Sequence, residues 1–179
     1  MGSDWYPVPV SFPPPTLSYR AATWDSLMEL ALDEARGAVV AGDVPVGAVV
    51  VGQSGNVLAL ARNRREQSGD PTAHAEVLAL RSASLALSSR STTFETPPWR
   101  LTGCTVIVTL EPCLMCAGAL LAARVDRLVF GAWDPKAGAC GSVWDVVRDT
   151  RGLHQLEVIP GVRAAESAEL LADFFEKRR

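Results

Sequence analysis

Apolar residues recur every three or four positions along the stretch that follows Thr23. This spacing places them on one face of an α-helix, and it predicts a helix with Thr23 as its N-cap that stops at Gly42. The apolar positions of this first helix are Trp24, Leu27, Met28, Ala31, Ala35, Ala38 and Val39.

Five short apolar segments instead predict β-strands, because they are rich in valine and isoleucine and are bounded by turn residues. Residues 46–51 and 57–62 flank the turn residues 53–56, which is the pattern of a β-hairpin. The other three strands are predicted at residues 105–110, 127–131 and 156–159.

Three further helices are predicted after the hairpin, at about residues 73–87, 112–123 and 165–177. A hairpin followed by alternating helices and strands is typical of an α/β architecture. The pattern therefore predicts a three-layer α/β/α sandwich, in which a mixed sheet of about five strands carries helices on both faces.

The N-terminal residues do not follow this pattern. Prolines at positions 7, 9 and 13–15 exclude a helix or a central strand, so residues 1–20 are predicted to be a proline-rich, flexible tail. An alternative is that Trp5, Tyr6 and Phe12 pack on a surface groove. The remainder, residues 21–179, is long enough for a single domain, with a surface loop predicted at the Ser- and Thr-rich residues 88–99.

The charge balance limits the possible partners. A net charge of -3 provides no overall basic field for nucleic acid, although a local patch could still contact phosphates. Arg62, Arg64 and Arg65 form one such cluster and residues 177–179 another, and a solvated charged face is the alternative for both. Four cysteines in a chain without an apolar span or a secretory signal predict a reduced, cytoplasmic setting.

Two of the cysteines, Cys113 and Cys116, are three residues apart and directly follow a predicted strand and Pro112. Pro112 can open a helix, so both thiols would lie on one face of its first turn, where the helix N-terminus favours the thiolate. His74 offers an imidazole upstream. One imidazole and two thiolates leave one position of a tetrahedral zinc ion open, which is typical of catalytic zinc.

An all-cysteine structural site is the alternative interpretation of the four cysteines. About six strand residues at about 3.3 Å each would separate Cys104 from Cys113 by roughly 20 Å, which is too far for one metal ion or a disulfide. Cys104 and Cys140 are therefore predicted to be small buried hydrophobic residues.

Glu76 lies two residues after His74 and is the candidate for proton transfer. Positions i and i+2 of a helix diverge, so Glu76 is not expected to be a ligand, although both side chains can border one pocket at a helix start. Glu76 would accept a proton from the attacking water, pass it to a ring nitrogen of the substrate and then assist the departure of ammonia. His-x-Glu with Pro-Cys-x-x-Cys is an established signature of zinc nucleobase deaminases.

These motifs resemble the cytidine-deaminase-like superfamily and, within it, the bacterial tRNA-specific adenosine deaminases of the TadA type. The resemblance begins at about Trp24 and rests on His74-Ala75-Glu76 and residues 112–116 together with longer flanking matches. The flanking matches are Val44-Pro45-Val46-Gly47-Ala48, Asn63, Asp70-Pro71-Thr72-Ala73, Thr109-Leu110-Glu111, Ala117-Gly118-Ala119, Gly131-Ala132, Asp134, Lys136, Gly138, Gly141-Ser142 and Asp173-Phe174-Phe175. The chain departs from the family in Trp133, where many members carry a basic residue, in the proline-rich tail and in a longer 88–99 connection.

The resemblance implies a cytidine-deaminase-like fold and a zinc enzyme that converts the wobble adenosine of a tRNA anticodon to inosine. His74, Cys113 and Cys116 would hold one Zn²⁺ per subunit, and Glu76 would be the proton shuttle. Members of the family are homodimers, and both subunits build the groove for the RNA.

The resemblance also implies a set of substrate contacts. Asn63 would hydrogen-bond the target nucleoside, while the backbone of Ala75 and of Glu111 would hold the water and the leaving amine. The groove for the anticodon loop would be lined by Val46, Asp134, Phe174 and Phe175.

Two other functions remain open at this point. The metal ligands do not distinguish a tRNA adenosine deaminase from a deaminase of a free base or nucleoside, such as guanine, cytosine or cytidine, because they activate water whichever ring receives it. A non-catalytic binding module that zinc stabilises is the third possibility.

Overall fold

The computed structural model of the 179-residue chain describes residues 23–89 and 98–178. The tail predicted at residues 1–20 lies outside the described residues, as do residues 90–97 of the predicted surface loop. No helix within the described ranges is both long and apolar enough to span a membrane.

Five strands form one mixed sheet, and this confirms the predicted architecture. Their bounds are β1 Gly47–Val51, β2 Val57–Arg62, β3 Thr105–Leu110, β4 Arg127–Ala132 and β5 Glu157–Ile159. The sheet order is β2-β1-β3-β4-β5, in which β1 is antiparallel to β2 and to β3. The β3–β4 and β4–β5 pairs are parallel, so the carboxyl ends of β3 and β4 lie side by side.

The helices agree with the predicted ones to within about two residues, which is the usual uncertainty at helix ends. They are α1 Trp24–Val40, α2 Arg65–Ser68, α3 Ala75–Ser89, α4 Leu114–Ala122 and α5 Ala164–Glu176. The sequence did not predict α2 or the 3₁₀ turn Val146–Arg148, because three or four residues are too few to show a helical period.

The ends of α1 form as predicted. The Thr23 hydroxyl accepts a hydrogen bond from the Ser26 N–H at 3.3 Å, which satisfies one of the free donors of the first turn. At the other end, Gly42 has a φ of +83°, and its N–H donates to the Val39 carbonyl. Glycine adopts this left-handed conformation without steric cost, so the helix ends here.

The two faces of the sheet carry separate apolar clusters, since side chains alternate between faces along a strand. On β3, Ile107 packs with residues of α1 such as Met28 and Leu32. Its neighbours Val106 and Val108 belong to the opposite cluster, which includes residues of α3 and α4. With α5 packed against β4 on the α1 side, the three layers predicted from the sequence are present.

Candidate metal centre and active site

The candidate site lies where β3 ends and where α3 and α4 begin. Cys113 is the N-cap residue of α4, and it has an extended backbone with φ −70° and ψ 173°. The prediction that Pro112 opens the helix was therefore wrong by two residues, because α4 begins at Leu114. Cys116 is the third helical residue, and N-cap and third-position side chains meet at a helix N-terminus. The two thiols are thus brought together, although not within the first turn itself.

His74 occupies the corresponding position at the start of α3. Its carbonyl accepts a hydrogen bond from the Leu78 N–H at 3.0 Å, so its own side chain precedes the helix. Among the described residues, His74, Cys113 and Cys116 form the one group whose ligand atoms lie within 4.8 Å of one another. The predicted ligand set is therefore assembled in space.

The distances within this group fit zinc. His74 Nδ1 lies 3.8 Å from Cys113 Sγ and 3.5 Å from Cys116 Sγ. A tetrahedral ion with Zn–S bonds of about 2.3 Å and Zn–N bonds of about 2.1 Å has N–S edges of about 3.6 Å. The three atoms could thus bind Zn²⁺ with little rearrangement.

The proton balance of the two thiols also favours a cation. A hydrogen bond from Cys116, together with one from His74, lowers the pKa of Cys113 to about 4, although burial opposes this. The same Cys113 hydrogen bond and burial raise the pKa of the Cys116 thiol. The thiols thus compete for one proton, and a divalent cation resolves the conflict because it binds both as thiolates.

Glu76 is the second residue of α3, and its side chain is only 4% exposed. Burial raises its pKa above the ordinary value, while the nearby His74 has the opposite effect. A raised pKa brings the carboxyl closer to neutrality, where it can both accept and donate a proton. His74 and Glu76 line the same cavity, as expected for two residues at a helix start.

The cavity above this centre, here called the active-site cavity, contains most of the predicted substrate contacts. Asn63, Val46, Glu111 and Asp134 all line it, whereas Ala75 is fully buried between two lining residues. Its described lining consists of Val44, Val46, Asn63, Arg65, His74, Glu76, Leu110, Glu111, Cys113, Asp134 and Ala137.

Glu111 has a structural role that the sequence did not reveal. Its buried carboxylate accepts hydrogen bonds from the backbone N–H groups of Asp134, Cys140 and Ser142, at 3.0, 2.9 and 3.1 Å. Its own N–H donates to the Ala132 carbonyl at 2.8 Å, so this N–H is not available to a ligand. Glu111 therefore holds the loop 134–142 against the end of β3.

Asp43 is a second residue that sequence reasoning missed. Its carboxylate, in a residue only 1% exposed, accepts hydrogen bonds from Asn63 Nδ2 at 3.2 Å and from the N–H groups of Glu66 and Gln67 at 2.9 and 3.1 Å. Asn63 thus keeps its Oδ1 and one N–H for a ligand. An aspartate after Gly42 is typical of a turn, and no local pattern indicates partners twenty or more residues away.

Phe174 and Phe175 lie away from the active-site cavity. Their rings meet edge to face with centroids 5.4 Å apart, and the Arg178 guanidinium lies 4.0 Å from the Phe174 ring centroid. Phe174 instead lines a second cavity between the C-terminal ends of α1 and α5, together with Val39, Leu170, Asp173, Lys177 and Arg178. A single chain therefore does not bring the pair to the metal centre, and its contact with RNA stays a prediction.

Comparison with known proteins agrees with this geometry. Residues 22–132 match the family described as the cytidine and deoxycytidylate deaminase zinc-binding region. The chain belongs to this deaminase family. The zinc-binding region of the family spans His74, Cys113 and Cys116, the three residues that the fold assembles.

Individual relatives extend the likeness beyond this region. The chain is 43% identical over 158 residues to the tRNA-specific adenosine deaminase of Bacillus subtilis, covering 88% of this chain and 92% of that one. It is 46% identical over 155 residues, 87% of this chain, to the tRNA(Ile)-lysidine synthase of Deinococcus deserti, but it spans only 27% of that longer protein.

A solved structure from a study of A-to-I editing by tRNA:A34 deaminases at the wobble position of transfer RNA is also similar. It is 44% identical with a TM-score of 0.72, and the likeness covers 81% of this chain and 98% of that chain. The deaminase fold thus extends over nearly the whole of that protein.

Replacing Cys113 with Ala should abolish zinc binding and lower the melting temperature, because two remaining ligands hold the ion weakly and its binding contributes to folding. Metal analysis of the purified protein should fall from about one zinc per chain to nearly none. Cys104→Ala is the matched control, since Cys104 is also buried but lies outside the ligand group. A Cys113→Ala protein with full zinc content and unchanged melting temperature would contradict the assignment.

Proposed function

We propose that this protein is a zinc-dependent deaminase that converts adenosine to inosine at the wobble position of a tRNA anticodon loop. The observation that carries the proposal is the 43% identity to a tRNA-specific adenosine deaminase over 92% of that enzyme. The assembled His74, Cys113 and Cys116 beside a buried Glu76 supports the same chemistry. A tRNA substrate also fits the cytoplasmic location that the sequence predicts.

In this reaction water replaces the exocyclic amine of adenine, so that adenosine and water give inosine and ammonia. Zinc held by His74, Cys113 and Cys116 supplies Lewis-acid activation of water at neutral pH. Glu76 takes the proton that the attacking water loses and delivers it to the ring nitrogen beside the reacting carbon. Glu76 then transfers a proton to the amine, which leaves as ammonia.

The residues around the centre would orient the nucleoside. Asn63, fixed by Asp43, offers an amide oxygen and one N–H to the target nucleoside. The Ala75 N–H belongs to the first turn of α3, where backbone donors have no partner within the helix. The backbone carbonyl of Glu111, a residue that lines the same cavity, is the proposed acceptor. We assign to these two backbone groups the water and the departing amine.

The rest of the RNA would contact two surfaces. Val46 and Asp134 line the active-site cavity beside the target base. Phe175 is 51% exposed, and Phe174 lies beneath Arg178, so this pair combines an aromatic face with positive charge. Single-stranded nucleic acid binds such surfaces by stacking and by phosphate contacts. We propose that Phe174 and Phe175 contact the RNA away from the target base.

Purified, zinc-loaded protein should form inosine in an anticodon stem-loop that carries one adenosine at the wobble position. The same RNA with that adenosine moved into the paired stem is the control and should remain unchanged, because a stacked and paired base cannot enter the pocket. Nuclease digestion and chromatography measure the inosine. Deamination of free guanine, cytosine or cytidine, with none in the stem-loop, would favour the small-molecule alternative and refute the proposal.

Glu76→Gln should lower the rate of inosine formation by roughly a hundredfold or more, which is the scale of general acid–base catalysis, while zinc content stays unchanged. An amide of the same shape cannot carry the proton. Glu169→Gln, which removes a carboxylate from the exposed surface of α5, is the control and should retain full activity. Full activity in Glu76→Gln would remove this residue from the mechanism.

The exposed side of α4 favours a homodimer. This helix contains no charged residue, yet Leu114 is 55% and Met115 37% exposed. Trp133 and Trp144, which are 46% and 58% exposed, flank the loop 134–142, and the Ala139 N–H of this loop donates to the Pro112 carbonyl beside the start of α4. Exposed apolar side chains of this size are typical of an interface. We propose that a second copy of this chain covers it.

Gly118→Glu should convert the dimer to a monomer. Apart from its chain neighbours and the backbone of α4 itself, no described atom lies within 4 Å of the position that a Cβ at Gly118 would take. The fold therefore tolerates the change, while a charged side chain blocks close approach of a second helix. Light scattering should report 19.1 kDa for this variant and twice that mass for the wild type. Ala172→Glu, on the exposed face of α5, is the control. A wild-type monomer at micromolar concentration would contradict the interface.

A further inference from the structure

A short segment at the rim of the active-site cavity, residues 63–68, is held in a defined position. Asp43 binds it at three points, through the Asn63 amide and the N–H groups of Glu66 and Gln67. The Asn63 N–H donates to the Val46 carbonyl at 2.9 Å, and the Arg64 N–H donates to the Ala73 carbonyl at 3.0 Å. Whatever this segment presents to the cavity is therefore placed by hydrogen bonds near both of its ends.

Arg65 is the residue that this segment presents beside Asn63. It is exposed, it begins α2, and it lines the active-site cavity together with His74 and Glu76. Of the described residues that line this cavity, Arg65 is the one lysine or arginine.

Two carboxylates of the cavity, those of Glu111 and Asp134, already accept hydrogen bonds from backbone N–H groups. Glu111 accepts three backbone N–H groups, and Asp134 Oδ1 accepts those of Lys136 and Ala137 at 2.9 and 3.2 Å. Within the described part of the chain, no carboxylate forms an ion pair with Arg65, whereas the neighbouring Arg62 pairs with Glu34 at 3.6 Å. Arg65 thus keeps five N–H donors for a ligand.

We propose that Arg65 binds a phosphate group that flanks the target nucleotide in the RNA chain. The inference rests on the proposed function, because it requires a polynucleotide in the cavity. A guanidinium forms two parallel hydrogen bonds to a phosphate, and Asn63 two residues earlier contacts the nucleoside to which that phosphate is attached. One residue pair would thus distinguish a nucleotide within a chain from a free base or nucleoside, which carries no phosphate.

This site also explains how a chain with a net charge of -3 can act on RNA. The total charge sets the field at long range, which salt screens beyond about 10 Å at 0.1 M ionic strength. A phosphate contact depends instead on an unpaired cation at short range. Arg65 supplies that cation at the point where the substrate enters.

The test compares Arg65→Ala and Arg65→Lys with the wild type on the anticodon stem-loop. Losing one hydrogen-bonded charge should lower kcat/KM about tenfold or more, with the lysine variant between the two. The logarithm of RNA affinity against the logarithm of salt concentration should become shallower by about 0.7 for Arg65→Ala, the value for one phosphate of a single strand. Fluorescence anisotropy measures this slope without any catalysis.

Two controls make the comparison specific. Arg100→Ala removes the same charge from an exposed position, and the adjacent Leu101 bonds to residue 123 at the far end of α4, so this variant should behave as wild type. A stem-loop with uncharged methylphosphonate linkages on both sides of the target adenosine should bind the wild type and Arg65→Ala equally. A difference between the two proteins on the natural stem-loop that disappears on this RNA is expected only from a contact with those phosphates.

The possible failures can be told apart. An Arg65→Ala protein with the wild-type salt slope and the wild-type preference for charged linkages would overturn the phosphate site while leaving inosine formation intact. A wild-type protein that forms no inosine in the stem-loop would overturn the proposed function. In that case the anisotropy slopes of the two proteins still decide whether Arg65 binds phosphate, and equal slopes refute it.

Discussion

The structure depends on bringing one imidazole and two thiols within 4.8 Å of one another. Residues at the N-terminal ends of two helices supply these groups, so α3 and α4 must begin close together beside the end of β3. Side chains at a helix start tilt towards the N-terminus and project beyond the first turn, and this leaves space for a ligand above the centre. The same arrangement buries Glu76, because the second residue of α3 faces the interior next to Cys116.

How much of the fold and of the site the sequence could predict depends on whether each feature arises from a local pattern or from residues far apart in the chain. Strand and helix positions depend on local periodicity, and the ligands His74, Cys113 and Cys116 stand in short motifs whose chemistry is independent of the fold. Asp43 and the carboxylate of Glu111 act on backbone groups more than twenty residues away, so no local pattern reveals them. The position of Phe174 depends on how α5 packs against α1, which periodicity does not determine.

Ion pairs account for many of the charged side chains on the α1 side of the sheet. Arg36 pairs with Glu29 and Asp33 within α1, and Arg163 joins Glu29 to the start of α5. These pairs are exposed to varying degrees and each contributes little stability, so their main effect is to neutralise positive charge over that layer. Arg65, which lines the active-site cavity and has no such partner among the described residues, differs from these cations because its charge is not neutralised by an ion pair.

The three hydrogen bonds that converge on Glu111 separate the loop 134–142 into parts that tolerate change differently. Its anchors Asp134, Cys140 and Ser142 all bond to one carboxylate. Insertions between the anchors would therefore break these hydrogen bonds and separate the loop from the sheet. Residues 135–137 between the first two anchors are exposed, and Ala137 still borders the cavity. Substitutions that adapt the site to other nucleobases, in nature or in the laboratory, would therefore concentrate at residues 135–137 and leave the anchors unchanged.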